Sequence, residues 1–104
     1  MALGNDGIHL LWCKRTAAGR FLRTMAKTSP SPEELLQAAE AYEKEVVVLE
    51  TAMHIVPWTG APEEERLRLA DPEIRRKAAA LMREARAHEE RAVEHLEAAL
   101  AALS

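Results

Sequence analysis

Apolar residues recur at alternating intervals of four and three in two long stretches of the chain, which is the spacing of a single helical face. In the second half the pattern runs through Ala78, Met82, Ala85, Glu89, Ala92, Leu96, Ala99 and Leu103. In the first half it runs through Leu35, Ala39, Tyr42, Val46, Leu49, Met53 and Val56. The sequence therefore predicts two long amphipathic helices, each with one apolar seam.

Both helices carry clear start signals. Asp71 can cap the first turn of the second helix through its carboxylate, and Pro72 suits the first helical position, where an N–H is not needed. Ser31 precedes Pro32 in the same way, and Glu34 follows Ser31 by three residues, which predicts a capping box. The second helix would then span roughly 45–50 Å, too long for one small globule to cover, so a partner surface is expected.

The connection between the two helices favours an antiparallel arrangement because it is short. It contains Pro57, Gly60 and Pro62, and residues 63–70 are predicted to form a short turn of helix. The hydrophobic share of 48% with only 4% aromatic residues is typical of helical bundles. We predict an all-α chain with a basic segment and linker at 1–30 and an antiparallel helical hairpin at 31–104.

The segment before residue 31 is predicted to be a short addition to the hairpin. Ile8–Cys13 is an apolar run that suits a strand or a helix, and Thr16–Lys27 has the pattern of a short basic helix interrupted by Gly19. Val46–Leu49 is apolar nearly all round, which predicts a second contact for the first helix, with this segment or with another subunit. The hairpin is expected to dimerise into a four-helix bundle.

Charge is unevenly distributed along the chain. Residues 1–30 carry five basic side chains and one acidic, and the remainder carries nine basic and sixteen acidic, in agreement with the net charge of −3. A basic segment on an acidic body can bind an acidic partner or fold back onto the body. Nucleic acid is not the favoured partner, because five charges and two aromatic residues are a weak signal beside a net acidic chain.

The cysteine content, the hydropathy and the absence of catalytic motifs narrow the possible functional classes. Cys13 is the single cysteine, which precludes an intrachain disulfide and suits a reducing compartment, so a cytoplasmic location is expected. No stretch approaches the roughly 20 apolar residues of a membrane span. The residues contain no Gly-rich phosphate loop, no cysteine pair for zinc and no nucleophile–base pair, so the sequence predicts no catalytic residue and an enzyme is not the favoured class.

The strongest chemical candidate is a metal site. An antiparallel hairpin places Glu40 and Glu43 at the height of Glu84 and His88, and the last two are four apart on one helical face. Carboxylates and histidines on facing helices hold metal in ferritin-like bundles, so iron, manganese or zinc is the expected ion. The spacing Glu-x-x-x-His differs from the Glu-x-x-His of those sites, and the alternative is that all three glutamates are solvated.

Glu89 is the exception in the second seam. A carboxylate on a core stripe must be paired, protonated or at the edge of the contact. We expect it to pair with Arg86 or Lys44, or to set the register of the helices as buried polar residues can.

The leading functional hypothesis is a self-associating protein-interaction or scaffold module that binds itself and another protein. The alternative is a metal-binding bundle assembled by dimerisation.

Overall fold

The computed structural model describes residues 5–56, 62–68 and 71–103, and these ranges are helical almost throughout. The helices are α1 (Asn5–Ala26), α2 (Pro32–Ile55), α3 (Glu63–Arg68) and α4 (Pro72–Leu103). No strand occurs within the described ranges. The prediction of an all-α chain is confirmed, and the molecule is a rod of 53 × 21 × 18 Å.

The N-terminal segment is larger than predicted, because α1 is one continuous helix of 22 residues. It packs along α2, and α2 also packs along α4, so α2 is the central helix of three. Gly19 does not interrupt α1. A Cβ at this position would lie 3.6 Å from Glu43 Cγ and 3.7 Å from the Ala39 carbonyl oxygen, so the bare glycine lies close against α2. The predicted two-helix hairpin is therefore corrected to a three-helix bundle.

The buried stripe of α2 is centred one residue away from the predicted seam. Seven residues at alternating intervals of three and four are each 9% exposed or less, and they form this stripe: Leu35, Ala38, Tyr42, Glu45, Leu49, Ala52 and Val56. Val46 and Met53, which the pattern placed in the seam, are only half-buried. Because α2 lies between two helices, a wide arc of its surface is covered, and the centre of that arc contains Glu45.

The seam of α4 is confirmed in its middle part. Ala85, Ala92 and Ala99 are buried, whereas Leu103 at its end is 63% exposed. With 32 residues against 24, α4 is longer than α2 by about 12 Å at 1.5 Å per residue. The excess length of α4 leaves part of its apolar seam without cover.

Buried apolar residues form two clusters at opposite ends of the rod. The cluster that we name the Ile8 end consists of Ile8, Val48, Leu49, Ala52, Val56 and Ala85. The cluster that we name the Leu22 end consists of Leu22, Ala26, Leu35, Ala38, Ala39, Ala41, Tyr42, Ala92 and Ala99. Glu45 is buried on α2 between Tyr42 of one cluster and Val48 of the other.

The two predicted caps have different outcomes. The Glu73 N–H donates to Asp71 Oδ1 at 2.8 Å, which confirms the cap of α4. Ser31 occupies the N-cap position of α2 but its side chain makes no capping hydrogen bond, so the predicted capping box is wrong. The Ser31 N–H, which Glu34 would accept in a capping box, donates instead to Ser29 Oγ at 3.2 Å, and Glu34 Oε2 lies 2.7 Å from His95 Nδ1 on α4. The carboxylate that would complete the box instead joins α2 to α4.

The region between α2 and α4 agrees with the prediction where it is described. Helix α2 ends at Ile55, and the predicted turn of helix after Pro62 is α3. Residues 57–61, which carry most of the predicted helix-ending signals, lie outside the described residues. None of the described helices combines the length and the apolar character needed to cross a membrane.

Candidate functional site

Glu45 is the charged residue that the fold buries most completely among the described residues, at 1% exposure. It lies on the central stripe of α2, three residues after Tyr42 and four before Leu49. The two apolar neighbours direct this face of α2 toward the middle of the bundle. A carboxyl group is therefore placed in the interior at the point where the two apolar clusters meet.

Arg15 of α1 connects this carboxyl group to α4. Its Nε lies 3.7 Å from Glu45 Oε2, and its Nη2 forms an ion pair with Glu89 Oε1. The guanidinium carbon is also 6.0 Å from the centre of the Tyr42 ring, within the range of a cation–π contact. Each of the three long helices thus contributes one charged side chain to a single cluster, which we name the Arg15 cluster.

The hydrogen bonds of the Arg15 cluster are incomplete. Three buried atoms of the cluster make no hydrogen bond among the described residues: Glu45 Oε1, Arg15 Nε and Glu89 Oε1. Of these, Glu89 Oε1 still lies in the ion pair with Arg15, whereas Glu45 Oε1 has no cation in the ion pairs of the cluster. An ionised carboxylate in the interior is stable only when it is paired and its oxygens accept hydrogen bonds. The geometry therefore favours a proton on Glu45, because one of its oxygens lacks a donor.

The electrostatics of the cluster agree with this geometry. Burial, and to a smaller extent the negative charge of Glu89, raise the pKa of Glu45, and Arg15 opposes both effects; the net result is a pKa of about 7. Burial also raises the pKa of Tyr42; Arg15 opposes that rise, and Glu89 and Glu45 add to it. Glu45 is consequently a carboxyl group that changes its charge near neutral pH rather than in acid.

The predicted metal ligands Glu40 and Glu43 each have a cationic neighbour. Glu43 accepts hydrogen bonds from Nε and Nη2 of Arg23, both at 2.6 Å, and this hydrogen bonding lowers the pKa of Glu43. Glu40 lies 3.3 Å from Lys44 Nζ on its own helix. Glu43 therefore joins α1 to α2, and its carboxylate is directed toward Arg23.

The other two predicted ligands lie together on α4. His88 Nε2 is 3.9 Å from Glu84 Oε1, and His88 Nδ1 is buried without a hydrogen-bond partner among the described residues. Within the described part of the chain no three His, Cys, Asp or Glu side chains are gathered in a manner that could hold a metal ion. The fold thus brings Glu84 to His88 but does not bring Glu40 and Glu43 to the same point within one chain.

Glu89 is paired, but with a different partner from those expected. Arg86 Nε lies 3.5 Å from Glu90 Oε1 and Lys44 Nζ lies 3.3 Å from Glu40 Oε1, whereas the ion pair of Glu89 is with Arg15. The expected pairing is wrong because the counterion is Arg15 of α1, a segment that was predicted to lie against the hairpin but to which no role at Glu89 was assigned. The same α1 places Cys13 Sγ 3.7 Å from His9 Nε2 at an exposed position.

Arg15 and Glu45 are the site residues that the sequence pattern missed. Both fall at helical intervals from apolar residues, Arg15 seven after Ile8 and Glu45 ten after Leu35. A search for charged residues that continue an apolar stripe would have found them.

No family model, no curated protein and no solved structure matches the chain.

Proposed function

We propose that the protein is a self-associating helical interaction module, in which two copies pair at the Leu22 end and together form a scaffold for another protein. The observation that supports this proposal is an apolar groove between the end of α1 and the last turns of α4. Large apolar surfaces left in water on a small protein commonly mark sites of association.

The groove has a volume of about 300 Å³ and no charged residue in its lining. It is lined by Met25, Thr28, Ser29, Pro30, Ser31, Leu35, Leu96, Ala99, Leu100 and Leu103. Three of the large side chains around it are well exposed: Met25 at 41%, Leu100 at 66% and Leu103 at 63%. The binding free energy of a partner would come mainly from removing these apolar side chains from water.

The surface continues beyond the groove along both helices. Phe21, 64% exposed, precedes Met25 by one turn, and Val93, 41% exposed, precedes Leu100 by two turns. The groove residues alone would cover only part of the roughly 800 Å² per partner that a stable interface needs. Together the two stripes form one extended apolar strip across α1 and α4.

The distribution of charge supports a second copy of the chain as the partner. Residues 17–27, at the end of α1 and directly after it, contain Arg20, Arg23 and Lys27 and no acidic residue, although Arg23 already pairs with Glu43. Residues 93–103 of α4 contain Glu94 and Glu97 and no Lys or Arg. A two-fold axis through the groove would place the basic half of α1 beside the acidic half of α4 from the other copy. Such a dimer has six long helices, in place of the four expected for paired hairpins.

The test is the oligomeric state of a variant that places charge in the strip. Met25→Glu combined with Leu103→Glu introduces one carboxylate on each helix at exposed positions. We expect the unmodified protein to sediment as a dimer and the double variant as a monomer, with unchanged helical circular dichroism. The measurement is sedimentation velocity over a concentration range from micromolar to about 100 micromolar.

A matched control carries the same charges elsewhere. Leu10 and Val47 are 56% and 61% exposed, so Leu10→Glu with Val47→Glu makes a comparable change outside the strip. The control should remain a dimer. A monomeric unmodified protein, or equal dissociation of both double variants, would overturn the assignment of the interface to this strip.

The metal-binding alternative depends on the Glu84–His88 pair, the two predicted ligands that lie together. A dimer would have to contribute the further ligands. Calorimetric titration with Fe²⁺, Mn²⁺ and Zn²⁺ tests this alternative, which predicts a fixed stoichiometry that Glu84→Ala with His88→Ala abolishes. Absence of binding to all three ions would exclude this alternative and leave the dimer proposal unaffected.

A further inference from the structure

The Arg15 cluster is placed where it can control the attachment of α1. Arg15 is the residue of α1 that contacts charged groups of both other long helices, Glu45 on α2 and Glu89 on α4. Its remaining neighbour in the cluster is the ring of Tyr42 on α2. Removing α1 from the bundle would break both ion contacts at once and would open Glu45 to water.

The charge of the cluster depends on a single proton. With a proton on Glu45, the positive charge of Arg15 balances the negative charge of Glu89. After ionisation of Glu45 the cluster carries one unbalanced negative charge at a position that is 1% exposed, with Glu45 Oε1 lacking a donor. An unpaired interior charge is costly, and exposure to water relieves it.

We propose that the Arg15 cluster is a pH-sensitive latch, which holds α1 on α2 and α4 while Glu45 carries a proton and loosens α1 when Glu45 ionises. The groups that face Glu45 are Arg15 from α1, Glu89 from α4 and Tyr42 on α2 itself. His88 precedes Glu89 on α4, and its imidazole is directed toward Glu84. The latch does not depend on dimerisation and operates within one chain.

The direction of the effect follows from proton linkage. The attached state holds the proton of Glu45 more tightly than a solvated glutamate, because its pKa is about 7 in the bundle and ordinarily 4.5. Attachment is therefore strongest below pH 4.5, weakens as the pH rises from 4.5 to about 7, and changes little above that. A structural ion pair would behave in the opposite way and weaken in acid.

Hydrogen exchange of the full-length chain, followed by mass spectrometry, separates α1 from the other helices. After correction for intrinsic rates, protection of α1 amides between residues 8 and 22 should fall on the order of tenfold from pH 5.5 to pH 8.5. Protection of α4 amides should change less. In Glu45→Gln the side chain cannot ionise, so the protection of α1 should be the same at both pH values.

Two further variants complete the test. Glu89→Gln removes the negative charge that favours the proton on Glu45, so the loss of α1 protection should be smaller and should be complete at a lower pH. Glu40→Gln, on the exposed side of the same helix as Glu45, should leave the pH dependence unchanged. The latch would be overturned if protection of α1 were independent of pH in the unmodified protein. It would also be overturned if the pH dependence persisted in Glu45→Gln. A midpoint that does not move in Glu89→Gln would overturn it even if Glu45→Gln failed to fold.

Discussion

The two ends of the rod are built by the same three helices but packed with different residues. At the Ile8 end two of the six buried cluster residues are alanine. At the Leu22 end six of nine are alanine, namely Ala26, Ala38, Ala39, Ala41, Ala92 and Ala99. Alanine allows helices to approach closely, but it buries little apolar area.

This difference explains why the exposed apolar strip lies at one end. The Ile8 end fills its interior with the large side chains of Ile8 and Leu49, both 0% exposed. At the Leu22 end the helices pack closely through alanine, so large residues such as Leu100 and Leu103 do not fit into the core and remain exposed. Hydrophobic stabilisation follows the apolar area that is buried, so we infer that the Ile8 end contributes more to folding, whereas the Leu22 end leaves the strip exposed for the proposed dimer.

Truncating one leucine at each end gives the largest expected contrast. Leu49→Ala empties a fully enclosed position and should lower the free energy of unfolding by about 2–4 kcal/mol. Leu35→Ala, at 8% exposure beside the open groove, should cost about 1–2 kcal/mol because its surroundings can relax. Urea denaturation at pH 6 measures both. Equal losses would show that the ends contribute equally and would remove the basis of the comparison.

The helix caps differ between the ends in the same way. Asp71 caps α4 at the Ile8 end, so Asp71→Ala should lower stability by about 1 kcal/mol. Ser31 makes no capping bond at the start of α2 at the Leu22 end, so Ser31→Ala should change stability by less than about 0.5 kcal/mol. Thermal denaturation of the two variants in parallel compares them. A larger loss for Ser31→Ala would contradict the description of that helix start.

Gly19→Ala tests whether the close approach of α1 to α2 requires glycine. The nearest atoms to an added Cβ lie 3.6 to 4.0 Å away, which is ordinary van der Waals contact. Alanine also forms helices better than glycine, so stability should rise by about 0.5–1 kcal/mol. Gly19→Val adds two methyl groups near the Ala39 carbonyl and should be destabilising. A loss of stability in Gly19→Ala, measured by urea denaturation, would show that the helices are closer than this packing indicates.

Local signals in the sequence predicted most of the helical structure. The cap at Asp71 and the unbroken run of strong helix formers after it specify α4 through interactions within one turn. The alanines at 85, 92 and 99 were also assigned correctly to the buried face. These features depend on neighbouring residues along the chain, so they can be read from the sequence.

The errors arose where a distant helix decides the outcome. The pattern selected Val46 over Glu45 because valine is apolar, yet the position of α1 and α4 around α2 buries Glu45 instead. In the same way Glu34 belongs to a capping box by spacing, but His95 of α4 holds its carboxylate. Arg15 had no assigned role, because its role depends on both other helices. Contacts between residues far apart in sequence are not encoded in local spacing.

Because Trp12 of α1 contacts α2, its fluorescence emission reports whether α1 is attached to α2. Trp12 Nε1 donates to Glu50 Oε1 at 3.0 Å, and its ring stacks on His9. Tryptophan emission depends on the polarity around the indole ring, so separation of α1 from α2 would shift the emission of this residue to longer wavelength. After replacement of Trp58, the second tryptophan, by phenylalanine, the protein would carry its own fluorescent reporter of helix attachment. Such a reporter would make rapid mixing experiments possible without any attached dye.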